Sequence, residues 1–166
     1  MVQFLFQNIG RFITLVLIQV LVLNNIQFLG FINPYIYVLF ILSLPVKTDR
    51  WLTLILSFVL GISVDLFSNT LGLHAFACVL IAFLRDLFIK LLAPIDENVN
   101  YSLSFATFGA AAYMKYVIVL VLIHHFTLYY MEMFTFVNFW ITAYRASLAS
   151  LITISLILGI QLLKKS

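Results

Sequence analysis

Apolar runs of about twenty residues follow one another along the whole chain, and that leaves few folds open. A helix needs roughly 20 apolar residues to cross the hydrocarbon of a bilayer. On that measure about six crossings are expected, over 4–23, 29–46, 51–67, 71–92, 103–126 and 139–163. The second is short and carries Pro34 near its start and Pro45 near its end. Composition points the same way. Of the 166 residues, 64% are hydrophobic and 9% charged, with a mean hydropathy of +1.16, whereas soluble domains are about half apolar and a quarter charged. The expected fold class is all-α, a polytopic membrane helix bundle, with residues 1–166 forming a single integral membrane domain. The opening run lacks an A-x-A-like cleavage site and further apolar segments follow at once, so it is expected to be retained as the first span.

Charge placement tests the count independently, because cytoplasmic loops of membrane proteins collect Lys and Arg. With a cytoplasmic N-terminus, Arg11, Lys47, Arg50, Arg85, Lys90, Lys164 and Lys165 fall at or near cytoplasmic ends. The three outer loops, near 24–33, 68–72 and 124–138, contain no Lys or Arg. An even number of spans with both termini cytoplasmic is therefore expected. Nine basic residues scattered between apolar runs form no stripe for nucleic acid. The one cysteine, Cys78, lies in an apolar run and is expected to be inert packing.

The stretch "GISVDLFSNTLGLH", from Gly61 to His74, stands out because it sets a carboxylate, Asp65, among lipid-like runs. Stepping back from Asp65 by fours gives Gly61, Ser57 and Thr53, a face of small or polar residues that lets another helix approach closely. Arg145, in the first turns of the sixth span, is the expected partner of Asp65, and Arg145, Ala149 and Thr153 form a matching stripe. The competing expectation is a hydrated Asp65 that caps its helix at the interface. Both stay open. Lys115 falls near the middle of the fifth span, with Ala111 and Thr107 on the same face, so it either snorkels or faces an internal polar cavity or a partner, the second being favoured. His124 and His125 are neighbours that diverge by about 100° on a helix, and interfacial positions are expected for both. His74, just after Gly72, is expected to shape the turn.

No H-E-x-x-H, G-x-S-x-G, Gly-rich phosphate loop or paired intramembrane carboxylates occur. Asp96 and Glu97 belong to a short cytoplasmic turn. Neither catalysis nor a cofactor or metal is expected, and the loops are too short for a soluble appendage.

The run "IQVLVLNNIQFLGFINPYIYVLFILSLP", a basic turn, and then "FVLGISVDLFSNTLGLHAFACVLIAFLRD" resemble the MreD family of the bacterial rod-shape system. The matching features are Gln19, Pro34, the G-x-x-x-D pair Gly61 and Asp65, and the Leu71-Gly72-Leu73-His74 run. They cover about the first ninety residues, while the remainder matches only in hydropathy. The resemblance implies a fold similar to the substrate-binding subunits of energy-coupling-factor transporters. It also implies a non-enzymatic scaffold acting with MreC, the actin-like MreB, a RodA-type glycosyltransferase and a class B penicillin-binding transpeptidase in peptidoglycan synthesis. On that basis the small-residue faces and Lys115 are candidate contact surfaces. The main competitor is a small-molecule uptake subunit. Against it, the first span has no A-x-x-x-A pair and the outer loops are poor in binding groups. A channel would need several ionisable groups on one path, and only Asp65, Lys115 and Arg145 qualify.

Overall fold

A computed structural model describes residues 2–26, 32–92, 102–134 and 138–163, and every element in them is helical. α1 spans Val2–Ile18 and continues as a π-helical turn over Gln19–Leu23. α2 is short, Val38–Leu42. α3 (Arg50–Ser68) and α4 (Leu73–Leu92) form a hairpin. α5 (Phe105–Phe108) precedes α6 (Ala110–Met133), which pairs with α7 (Phe139–Leu163). Three of these helices, α3, α6 and α7, are long and apolar enough to cross a membrane. α4 has the length but carries Arg85, Asp86 and Lys90 in its second half.

Polarity is distributed as a lipid solvent demands. Ile55, Phe58, Leu66, Phe83, Trp140 and Leu151 are exposed, while Gln19, Asp65, His74, Arg85, His124 and His125 are buried. Outward hydroxyls are masked locally: Ser63, Ser147 and Ser155 each donate to the carbonyl four residues back.

Two expected spans have a different form. The fifth begins later than 103, because Gly109, at φ +80, breaks the helix between α5 and α6. The second is not a continuous helix. In its described part, 32–46, only the five residues of α2 are α-helical, about 7.5 Å of rise. Pro34 and Pro45 bound this segment, and proline supplies no N–H to a helix.

Backbone left outside regular helix is costly in a membrane unless other groups satisfy it, at several kcal/mol per orphan. Here five side chains from four helices do so. The Gln19 amide donates to Pro34 O (3.1 Å) and accepts from Ile36 N (3.0 Å). Thr153 Oγ1 of α7 accepts from Tyr35 N at 3.0 Å. Tyr116 of α6 donates to Leu42 O at 3.3 Å, and Arg11 of α1 to Ser43 O at 3.3 Å. Arg85 of α4, fully buried, donates to Leu44 O and also to Pro45 O, the latter at 3.1 Å. Residues 34–45 are all buried, so this segment is the core around which the helices close.

Candidate functional site

Asp65 holds the α3–α4 hairpin. Its Oδ1 accepts from the Thr70 hydroxyl at 2.5 Å and from His74 N at 3.1 Å, and its Oδ2 from Ala75 N at 2.9 Å. Those amides belong to the first turn of α4, whose N–H groups have no partner within their own helix, so a carboxylate there satisfies them and meets the positive end of the helix dipole. The connecting turn runs through Asn69 in the left-handed region (φ 55) and Gly72 at φ 83, a conformation that favours glycine. Gly61 makes the reach possible. A Cβ at that position would lie 2.3 Å from Ala75 Cα and 2.5 Å from Ala75 N, so α3 and α4 touch backbone to backbone one turn below the carboxylate. The G-x-x-x-D spacing therefore encodes a contact and the cap beside it.

Several expected roles change. The carboxylate oxygens of Asp65 are occupied by Thr70 and α4 rather than by Arg145, which is exposed on α7 and borders a separate cavity with Tyr129 and Glu132. Asp65 is 3% exposed, so it is not a hydrated interfacial cap either; it caps the following helix from inside the bundle. The faces bearing Gly61 and Ser57 on α3 and Ala149 on α7 are buried within the chain and are not partner surfaces. The α3 face is closed by α4, because Gly61 leaves no space between the two backbones. Lys115 is exposed and lies in the second turn of α6 rather than mid-span, since that helix starts at Ala110.

The histidines move furthest from expectation. His124 and His125 are both fully buried, not interfacial. His74 Nδ1 lies 2.6 Å from the Tyr37 hydroxyl, and the same hydroxyl lies 3.1 Å from His124 Nε2. His125 Nδ1 is 2.9 Å from Val121 O, which can only accept, so Nδ1 carries the proton and Nε2 accepts from Thr153 Oγ1 at 3.0 Å. Thr153 thereby ties His125 to the backbone of Tyr35. The ring of Tyr35 packs against His74 (5.2 Å) and His125 (5.3 Å). Periodicity could not reveal this cluster, because the buried segment supplies both tyrosines and no helical face lines them up with the histidines. Among the described residues no group of three or more His, Cys, Asp or Glu is placed to hold a metal ion.

Above the cluster lies a cavity of about 320 Å³ whose walls include Asn24, Asn33, Tyr35, Thr70, His74 and Glu132. A second, of about 150 Å³, shares Asn33, Tyr35 and Glu132 with it and adds Tyr129, Thr142 and Arg145. Both lie at the end of the bundle opposite the Arg11 and Arg85 contacts. An apolar groove of about 230 Å³ runs between α1 and α3, walled by Ile9, Phe12, Leu52, Leu56 and Val59, with Phe40 and Leu44 at its floor.

An all-helical chain with a lipid-type exterior and three helices of spanning length belongs to the class of helical membrane proteins. Comparison with protein-family models, with curated proteins and with solved structures finds no significant match.

Proposed function

We propose that the chain is a non-enzymatic scaffold of the bacterial rod-shape machinery in the inner membrane, as its resemblance to the MreD family implies. It passes the bilayer six times with both termini cytoplasmic, the second pass being the shielded 32–45 segment. The observation that carries this reading is the use made of the polar side chains within the bundle: Gln19, Arg85, Tyr116 and Thr153, all buried, and the half-buried Arg11 bond the protein's own backbone. The concave α1–α3 groove is apolar, the shape and polarity that a single transmembrane helix of an MreC-like partner fits. The other partners implied by the resemblance, an MreB-like cytoskeleton, a RodA-type glycosyltransferase and a class B penicillin-binding transpeptidase, would join through that assembly.

The test is co-purification from native membranes in mild detergent, comparing wild type with Ile9→Trp and Leu56→Trp, which fill the groove. Recovery of MreC-like and cell-wall synthase proteins with wild type, and their loss with the groove variants, supports the scaffold. Recovery of transporter ATPases instead overturns it. The polar cavity favours a second reading, a small-molecule uptake subunit, because the outer loops, expected to be poor in binding groups, supply Asn24, Asn33, Thr70 and Glu132 to its walls.

A further inference from the structure

From the two joined polar cavities we infer a binding site for a primary ammonium group. The inference shares with the second reading only the premise that the cavity takes a ligand, and it holds for a scaffold as well as for an uptake subunit. Three features of the walls select the charge and the chemistry.

Among the described residues Glu132 is the only charged residue lining the larger cavity, which it makes electronegative; it also borders the smaller one, there together with Arg145. Asn33 is likewise a wall of both, and its Oδ1 is buried with no hydrogen-bond partner among the described residues. A buried acceptor without a donor costs about 1–3 kcal/mol, a deficit that an N–H donor in the cavity would remove. Tyr35 borders both cavities and its ring lies 6.4 Å from that of Tyr129, a wall of the smaller one. Aromatic faces attract cations within about 6 Å. Neighbouring polar groups are already committed: Asn24 bonds Gln19 and Ser68, Thr70 bonds Asp65, and His74 Nδ1 bonds Tyr37. Three features of the walls stand out from these: an acceptor, a carboxylate and two aromatic rings.

A quaternary ammonium would find the rings but could donate nothing to Asn33 or Glu132. A primary ammonium satisfies all three. Two sources carry that chemistry: a free amino acid, and the ethanolamine phosphate headgroup of a membrane lipid.

The experiment measures thermal unfolding of the full-length protein in nanodiscs, with the trimethylated counterpart as control in each arm. In the first arm, discs of phosphatidylcholine and phosphatidylglycerol are titrated with glycine or with trimethylglycine. In the second, phosphatidylethanolamine replaces phosphatidylcholine. Stabilisation by glycine, weakened at least tenfold for trimethylglycine and in Glu132→Gln, assigns the site to a free solute. Stabilisation by the ethanolamine lipid alone, lost in Glu132→Gln, assigns it to a headgroup. If neither ammonium compound stabilises the protein, if the trimethylated forms act equally, or if Glu132→Gln responds as wild type does, the proposal is overturned. Glu132 is exposed, so its substitution leaves folding intact, and Asn33→Leu provides a second variant expected to lose the response. Co-purification of transporter ATPases reads the transport step separately, so a failure of one does not decide the other.

Discussion

Replacing Asp65 by alanine removes three hydrogen bonds at once, and the structure says what each loss costs. The Thr70 hydroxyl borders the polar cavity and is only part-buried, so it can turn to water. The amides of His74 and Ala75 cannot, because both residues are buried. An orphaned buried donor costs about 1–3 kcal/mol, so the two together cost about 2–6 kcal/mol. Asp65→Asn keeps a carbonyl acceptor but loses the charge facing the α4 N-terminus, for about 1–2 kcal/mol. Cys78 provides the assay. It is the only cysteine and is 0% exposed, so its thiol reacts with a maleimide only when the bundle opens. Reactivity against added SDS, in mixed micelles, then reports the folded fraction. Asp65→Ala is expected to lower the folded-to-unfolded ratio by about one and a half to four orders of magnitude, with 1.4 kcal/mol for each tenfold. Asp65 is expected to couple to Thr70 in a double-mutant cycle and not to Arg145. If Arg145→Gln destabilises as much as Asp65→Ala, and the double variant is no worse than either, the carboxylate's partner is the arginine and the capping argument fails.

Gly61→Ala is expected to destabilise by at least about 1–3 kcal/mol in the same assay, because its Cβ would meet Ala75 backbone at 2.3 Å and nothing flexible can yield; unchanged stability would mean that α3 and α4 do not touch there. Gln19→Leu removes the two bonds that hold Pro34 and Ile36 and is expected to cost about 2–4 kcal/mol. Hydrogen exchange should then rise at Ile36 before the α3–α4 hairpin responds, and exchange that rises uniformly would contradict a local clamp. Lys115→Ala, at an exposed position, is expected to stay within about 0.5 kcal/mol of wild type; a large loss would restore the internal partner that its place in the sequence suggested.

Hydropathy located α1, α3, α4 and α7 closely, because lipid-facing helices must be apolar over most of their length, and set α6 seven residues too early at both ends. The step of four from Asp65 correctly found a buried face, and it erred on what covers that face. Small residues at that spacing mark a close helix contact without saying whether the neighbour lies in the same chain. Lys115 was misplaced by a boundary error, since the break at Gly109 shifts the helix start. His124 and His125 were assigned to the interface from adjacency alone. On α6 both turn inward, because Tyr37 and the Thr153 hydroxyl wait for them there, and neither partner lies on the same helix.

The second segment shows why hydropathy misjudged its form. A helix facing lipid and an irregular strip enclosed by protein are both apolar on all sides, so "YVLFILSL" looks the same in either role. The distinguishing information sits elsewhere in the chain, as hydrogen-bonding capacity that neighbouring helices do not need for themselves. Gln19, Arg85, Tyr116 and Thr153 are such groups, and an ionisable or amide side chain within a membrane invites a functional assignment by default. Here that default misleads for the residues that bond backbone, because removing the segment's irregular carbonyls would remove their purpose. It remains apt for Asn33 and Glu132, which border open space, the Asn33 Oδ1 with no hydrogen-bond partner among the described residues. Sorting intramembrane polar residues by whether their partner is backbone or cavity thus separates those that build the bundle from those left to meet something else.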